Sequence, residues 1–238
     1  MKKKLNVVLE KFFSKLEHDL KSNIKDNKKY FGLLSKINSP SETLMEYTNE
    51  FRKKKKKRFI EDESKTKEDM KDILFFINKL DSDSLKSEGE VVKRYGFDSK
   101  ESLLAHNKTV SLNKCNVELI ESIINRFGWL NESEVGIIPN QTLWIIIQHS
   151  DIETQTRFYP LMEEEMKKGN LPKSQFAKLQ DRMLVNTGRN QIYGTQFQLN
   201  PDFTYSLYPI DDIEGVNARR EEVGLEPLDM EENITISR

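Results

Sequence analysis

One segment in the C-terminal half of the chain is apolar on nearly every side when it is drawn as a helix. It reads Leu-Trp-Ile-Ile-Ile over residues 143–147 and follows Pro139, a residue that suits the first turn of a helix. A helix without a polar face must be surrounded by other parts of the fold. The segment therefore predicts a buried central helix, with Gln148 and His149 at the end that emerges from the core.

The composition favours further helices around this central one. Among the 238 residues, 32% are charged and 36% are hydrophobic, whereas only 10 are Gly and 7 are Pro. A sheet-rich fold with many tight turns would contain more Gly and Pro. The length permits one large domain or two of ordinary size. We predict a mostly α protein, with a lysine-rich helical bundle over residues 1–112 and a multi-helix domain with a small antiparallel β-hairpin over residues 113–238.

The first of these regions shows the three- and four-residue spacing of apolar side chains that marks one face of a helix. This spacing predicts a long helix over residues 5–24, a second helix that begins near Ser41, and a third over residues 67–80. Residues 81–112 mix short apolar runs with glycines and an alternating Asp-Ser segment. We expect them to form a connector with at most short helices.

The ends of the helices in the second region are marked by residues that favour helix termini. Gly128 is expected to end one helix, Asp151 to cap the next, and Pro172 to begin another. Residues 191–199 and 203–210 alternate well enough to form a hairpin. A last helix is expected from about residue 212 to residue 223.

Charge is distributed unevenly along the chain. Residues 1–128 contain 28 Lys and Arg against 21 Asp and Glu, and the remainder contains 10 against 18, so the two parts carry net charges of +7 and −8. The densest basic segment surrounds Lys53–Lys57, and a run of this kind is able to bind nucleic acid through its phosphates. Acidic residues flank the run closely and no aromatic residue interrupts it. A solvated helix face is therefore the simpler interpretation.

Three features bear on location. No apolar stretch approaches the roughly 20 residues that a membrane-spanning helix needs, and polar residues interrupt the segment after the basic start Met1–Lys4, unlike a signal peptide. The single cysteine, Cys115, cannot form an internal disulfide. We expect a cytoplasmic protein with no membrane segment.

The C-terminal half also contains short motifs in a fixed order. They are Gly128-Trp129, Val135-Gly136, Trp144–Asp151, Gln155, Asp181-Arg182, Gly188, Gln191-x-Tyr193-Gly194-Thr195-Gln196 and Val216-x-x-Arg219-Arg220-x-x-Val223-Gly224-Leu225. Over about residues 115–230 this series resembles a bacterial domain family of unknown function. Leu130 and Ser150 depart from the family pattern, which usually has proline and alanine at these positions. The resemblance implies a domain boundary and a candidate site, but it implies no reaction.

Two charged residues fall on helix faces that are expected to be buried. Asp181 projects into the apolar arc of the helix that follows Pro172, whereas Arg182 projects towards the polar side. On the last helix, Arg220 lies in the inward stripe and Arg219 faces away. Because a buried charge needs a partner, we expect Arg220 to pair with Asp181 or with a bound anion. A structural ion pair without a ligand explains the pattern equally well.

His149 is the natural candidate for acid–base chemistry, because histidine changes its charge near neutral pH. Asp181 is the second predicted catalytic residue. The residues predicted to line a polar pocket and bind a ligand are Gln148, Gln191, Tyr193, Gln196 and Arg220. The same polar groups could instead tie the hairpin to the helices, and His149 could simply be held at its helix end.

These residues predict a hydrolase or a transferase that acts on a phosphorylated or nucleotide-like substrate, with His149 as acid or base and Arg220 binding the anion. No metal is predicted, because Asp151, which could join His149 and Asp181 in a metal site, already has a role as a helix cap. The sequence has no P-loop and no Gly-rich dinucleotide turn, so it indicates no particular cofactor. The alternative is a non-catalytic adaptor or immunity-type module that binds a protein partner.

Overall fold

The structure is a computed structural model that describes residues 56–228 and the backbone of residues 235–236. The helix predicted over residues 5–24, the helix start near Ser41 and the basic residues up to position 55 lie outside the described residues. The described residues fall into one compact unit. None of the helices in this part of the chain combines the length and apolar character that a membrane crossing requires.

Helices α1 and α2 form a long antiparallel pair. Helix α1 is Lys67–Tyr95 and α2 is Lys100–Phe127, and Gly96 ends α1 with a φ of 85°. The side chain of Ser99 begins α2 by accepting the backbone N–H of Ser102 at 3.0 Å. Further along the pair, the hydroxyls of Ser84 and Thr109 lie 3.0 Å apart. The two helices therefore stay in contact well beyond their connecting turn.

The prediction that residues 81–112 form a connector with at most short helices is wrong, since nearly all of these residues belong to α1 and α2. Gly89 is exposed within α1, where a glycine costs only about 1 kcal/mol relative to alanine. Contact between two helices along their length outweighs a penalty of this size. The helix predicted over residues 67–80 is the first half of α1.

Helix α4, Ile137–Gln148, is the predicted central helix, and its burial is confirmed. Leu143, Ile146 and Ile147 have no exposed surface. In the chain, α3 at Glu132–Val135 precedes it, and α5 at Ile152–Lys167 and α6 at Lys173–Asn186 follow it. The predicted cap at the start of α5 is confirmed as well, because Asp151 accepts the backbone N–H of Thr154 at 2.9 Å.

A small sheet and a short helix complete the described region. Strands β1, Phe197–Leu199, and β2, Tyr205–Leu207, are antiparallel, and β3, Thr235–Ile236, pairs in parallel with β2. Helix α7 is Val216–Glu222. Leu207, Val216 and Leu228 form a second apolar cluster beneath these elements. The predicted fold class, mostly α with a small antiparallel hairpin, is confirmed.

The domain boundary predicted at residue 112 falls inside α2. The main core combines residues on both sides of that position, such as Ile77 of α1 and Ile146 of α4. From residue 56 onwards, the first predicted region therefore shares a core with the second. The division of the whole chain into two domains stays a prediction.

Candidate functional site

A histidine and a buried aspartate meet at the end of the central helix. His149 follows the last residue of α4, and its backbone N–H donates to the carbonyl of Ile145 at 3.0 Å. Its ring nitrogen Nδ1 lies 2.8 Å from Oδ2 of Asp81, which comes from α1. The side chain of Asp81 is 7% exposed and that of His149 is 22% exposed. The pair therefore lies at the edge of the core with the histidine on the outer side.

The contact with Asp81 determines how the neutral histidine carries its proton. A carboxylate accepts hydrogen bonds but does not donate them, so Nδ1 carries the hydrogen. The lone pair of the neutral ring is then on Nε2. Among the described residues, none forms a hydrogen bond with this second nitrogen. The arrangement leaves His149 with an oriented ring and an unused proton acceptor, which are the two properties that a general base needs.

Asp81 is the residue of this pair that sequence analysis missed. It follows Ile73 and Ile77 at four-residue steps and so continues the buried face of α1. The predicted helix ends at Leu80, one residue too early to include it. An aspartate on an apolar helix face would have been the available signal.

Residues 191–196, which we call the polar loop, wrap around the carboxylate of Asp181. This side chain has no exposed surface. It accepts the backbone N–H groups of Ile192 at 2.7 Å, Tyr193 at 3.0 Å and Thr195 at 3.0 Å, and also the Thr195 hydroxyl at 2.8 Å. Hydrogen bonds to an ionised acceptor are among the stronger ones in proteins. These contacts give Asp181 a sufficient structural role, and the catalytic role predicted for it stays a prediction.

Arg220 binds the same loop through its carbonyl groups. Its Nη1 donates to the carbonyl oxygens of Tyr193 at 2.7 Å and Gly194 at 3.2 Å, and its Nε donates to that of Glu226 at 2.6 Å. Burial lowers the pKa of Arg220, and the charge of Asp181 acts in the opposite direction. The described contacts of Arg220 include no ion pair with Asp181, so the predicted direct pairing is not formed. A bound anion at Arg220 stays a prediction.

Two more side chains form hydrogen bonds with groups of the polar loop. Gln191 is fully buried, and it accepts the N–H of Gln196 at 2.9 Å while its Nε2 donates to the carbonyls of Gln196 at 3.1 Å and Tyr208 at 2.8 Å. Arg219, which was expected to face away, donates from Nε to the carbonyl of Ile192 at 3.1 Å. The expectation for Arg219 is wrong because the loop spreads over both arginines of α7.

Gln148 and Gln196 meet at one backbone carbonyl of α6. Nε2 of Gln148 lies 3.5 Å from the carbonyl oxygen of Lys178, and Nε2 of Gln196 lies 3.4 Å from the same atom. Both glutamines are buried. The buried Oε1 of Gln148 has no hydrogen-bond partner within the described part of the chain. Tertiary structure thus brings together two of the predicted ligand-binding residues and leaves one acceptor unused.

Arg182 lies one helical turn after this carbonyl. It is half-buried, its Nε is inaccessible to solvent, and the described residues supply no acceptor for that nitrogen. Burial lowers the pKa of Arg182, whereas Tyr208 acts in the opposite direction. The predicted polar, outward position of Arg182 is therefore wrong, because the folded chain partly covers this side of α6.

The predicted site residues accordingly form two groups. Gln148, His149 and Gln196 lie near the end of α4 and the facing side of α6, whereas Asp181, Gln191 and Arg220 are bound within or against the polar loop. Tyr193 belongs to that loop and is half-buried, and burial is the main cause that raises its pKa. Within residues 56–228, no three His, Cys, Asp or Glu side chains are grouped so that they could hold a metal ion.

Comparison with known proteins identifies a family whose model covers much of the chain. The model of a family of unknown function (DUF6624) matches residues 86–237. The matched range includes the whole of residues 115–230, over which the sequence motifs indicate a resemblance, and it extends into α1. His149 and the polar loop lie inside the match, whereas Asp81 precedes it. No curated protein and no solved structure matches the chain.

Proposed function

We propose that this chain, which belongs to the DUF6624 family of unknown function, is a hydrolase or a transferase in which His149 is the general acid–base residue. The observation that carries the proposal is the 2.8 Å contact between Nδ1 of His149 and Oδ2 of Asp81. The proposed substrate class is the one that the sequence predicts, a phosphorylated or nucleotide-like compound.

The chemistry follows from the free nitrogen of the ring. Nε2 of His149 takes a proton from a water molecule or a substrate hydroxyl as that oxygen attacks, and it returns the proton to the leaving group. Asp81 keeps the ring in one orientation and stabilises the positive charge that the ring carries between these two transfers. General acid–base catalysis of this kind contributes about 10²–10⁴-fold to a rate.

The test is a substrate screen with variants of the pair. The wild-type chain is incubated with phosphomonoesters, phosphodiesters and nucleotides, with and without added divalent cations, and products are separated by chromatography. For any substrate that turns over, we expect His149→Gln to lower kcat by at least about 100-fold. Asp81→Asn is expected to lower kcat as well, with a changed pH profile, because the asparagine amide does not stabilise a positive ring.

The chain offers a matched control for this experiment. His106 forms a second histidine–carboxylate pair, with its Nδ1 2.9 Å from Oε1 of Glu88, but its side chain is 60% exposed. We expect His106→Gln to retain the wild-type rate. Full activity of a folded His149→Gln variant would refute the proposal, as would equal losses in His149→Gln and His106→Gln.

A second function is favoured by the surface of the hairpin. Phe197, Phe203 and Tyr205 are 43%, 40% and 62% exposed, and aromatic side chains are enriched at protein interfaces. The alternative proposal is an adaptor or immunity-type module that binds a protein partner through this surface. In that case Tyr205→Ser would weaken capture of the partner, while His149→Gln would leave it unchanged.

Two further assignments belong to these proposals. A cytoplasmic setting is supported by the single Cys115, which cannot form an internal disulfide, and a bacterial source is proposed from the family resemblance of the sequence motifs alone. Binding of nucleic acid through Lys53–Lys57 stays a weaker proposal, because two of these lysines already have contacts within the chain. The ammonium group of Lys56 lies 3.6 Å from the ring centre of Phe76, and that of Lys57 lies 3.8 Å from Glu61.

A further inference from the structure

Arg182 is a half-buried cation for which the described residues supply no counter-charge. The other guanidinium groups that lie against the domain have oxygen partners: Arg126 donates to the carbonyls of Asp62 and Lys65, and Arg219 and Arg220 bind the polar loop. In contrast, no hydrogen bond or ion pair joins Arg182 to any of the described residues, and its Nε is buried. Because an unpaired buried charge is costly, an anion from outside the chain would remove this cost.

The Gln148 side chain, whose Oε1 has no hydrogen-bond partner among the described residues, is held against the helical turn that precedes Arg182. In an α-helix the carbonyl of Lys178 accepts the N–H of Arg182, and Nε2 of Gln148 lies 3.5 Å from the same carbonyl oxygen. Side chains on a helix lean towards its N-terminus, so the side chain of Arg182 extends back over the turn that contains Lys178. The guanidinium and the free Oε1 of Gln148 are thus directed to the same region.

We propose that Arg182 and Gln148 form a binding subsite for a small ligand that carries an anionic phosphoryl group next to a hydroxyl group. Arg182 donates to the phosphoryl oxygens, and Oε1 of Gln148 accepts from the hydroxyl. Nε2 of Gln196 lies 3.4 Å from the same Lys178 carbonyl, so this amide is a further hydrogen-bond donor close to the subsite. The subsite deepens the proposed function by naming the groups that hold the substrate.

The placement next to His149 links the subsite to the proposed chemistry. Gln148 and His149 are consecutive residues, so their Cα atoms are about 3.8 Å apart. Gln148 contacts α6 whereas His149 contacts α1, so a ligand held by Arg182 and Gln148 must extend across the end of α4 to bring a reacting atom to Nε2 of His149. This link rests on the proposed function, whereas the binding of the anion does not.

Binding is tested with two probes, inorganic phosphate and glycerol 3-phosphate, by isothermal titration calorimetry and thermal shift at constant ionic strength. We expect glycerol 3-phosphate to bind the wild-type chain more tightly than phosphate, since only the former has an alcohol hydroxyl that can reach Gln148 while its phosphoryl group contacts Arg182. Arg182→Gln is expected to weaken both probes by at least about tenfold, the loss of a hydrogen bond to a charged group. Gln148→Met is expected to weaken glycerol 3-phosphate and to leave phosphate nearly unchanged.

Two comparisons make the result decisive. Arg157→Gln removes an exposed arginine that pairs with Glu121, and it is expected to leave both affinities unchanged. Without a ligand, Arg182→Gln is expected to melt at or above the wild-type temperature, because it removes an uncompensated charge. Failure of both probes to bind the wild-type chain, or equal binding by Arg182→Gln, would overturn the subsite.

The outcomes also separate this proposal from the proposed function. Phosphate binding that Arg182→Gln abolishes and His149→Gln preserves supports the subsite, whatever the catalytic result. Loss of catalysis in His149→Gln, together with unchanged binding in Arg182→Gln, would retain the general base and refute the subsite.

Discussion

The Asp181→Asn substitution removes the charge at the centre of the polar loop while it preserves the shape of the side chain. Each carboxylate oxygen faces two backbone N–H groups: Oδ1 faces those of Ile192 and Tyr193, and Oδ2 faces those of Tyr193 and Thr195. Whichever way the asparagine amide is oriented, its NH2 group is therefore turned towards at least one backbone donor. That donor loses its acceptor in a site without solvent.

The expected magnitude follows from these contacts. A buried donor without an acceptor costs about 1–3 kcal/mol, and the remaining hydrogen bonds lose the strength that an ionised acceptor provides. We expect the free energy of unfolding to fall by about 3 kcal/mol, which corresponds to about 6–12 °C in Tm for a chain of this size. Urea denaturation and differential scanning calorimetry measure these two quantities.

Asp211→Asn is the matched control for this prediction. Asp211 is exposed and accepts one side-chain hydrogen bond, from Nδ2 of Asn190 at 2.9 Å. Its substitution is expected to change the free energy of unfolding by less than about 0.5 kcal/mol. If Asp181→Asn were as stable as the control, the carboxylate would not be the group that holds the polar loop. A catalytic role for Asp181 would then be the better explanation of its burial.

Two further substitutions test the local structure. Gly194 has a φ of 66°, and an added Cβ would lie 2.7 Å from Cδ1 of Ile210, so Gly194→Ala is expected to lower the free energy of unfolding by about 2 kcal/mol. Gly89→Ala is its control, because a Cβ at Gly89 meets nothing within 4 Å, and it is expected to stabilise the exposed helix by about 0.5–1 kcal/mol. The pKa of Asp151 is lowered mainly by its hydrogen bond from the backbone N–H of Thr154. The cap therefore stabilises the fold at pH values above the unfolded-state pKa of about 3.9. This contribution is lost as the pH falls through the lower pKa of the folded state. Asp151→Ala is therefore expected to lower the free energy of unfolding by about 1 kcal/mol at pH 7, with a smaller difference in acid, as measured by denaturation across pH.

The polar loop shows how the buried charge of Asp181 and the half-buried charge of Arg220 are satisfied without meeting each other. Asp181 binds backbone N–H groups and Arg220 binds backbone carbonyl groups of the same short segment. The charges therefore order the loop between them through its peptide dipoles. Gln196 ends this loop, so the contacts of Asp181 and Arg220 with the loop also help to determine where the Gln196 side chain lies relative to Gln148.

Periodicity and helix-end signals in the sequence determined most of the C-terminal architecture. The central helix at Ile137–Gln148 and the cap at Asp151 follow from apolar spacing and local hydrogen bonding, which depend on residues close together in the chain. The same reasoning fails for residues 81–112. Their helices are stabilised by contact with each other, and a local pattern with exposed glycine and serine does not reveal such contact.

The candidate site was decided largely by tertiary structure. The sequence indicates that Asp181 and Arg220 are buried and that His149 ends a helix, because helical spacing shows which side of an element faces the core. Spacing does not specify which atoms from distant elements meet on that side. His149 and Asp81 are separated by 68 positions, and the partners of Asp181 are backbone groups whose directions depend on how the polar loop folds. Only the folded chain brings these atoms within hydrogen-bonding distance, and only there does Arg182 become a cation without a partner among the described residues.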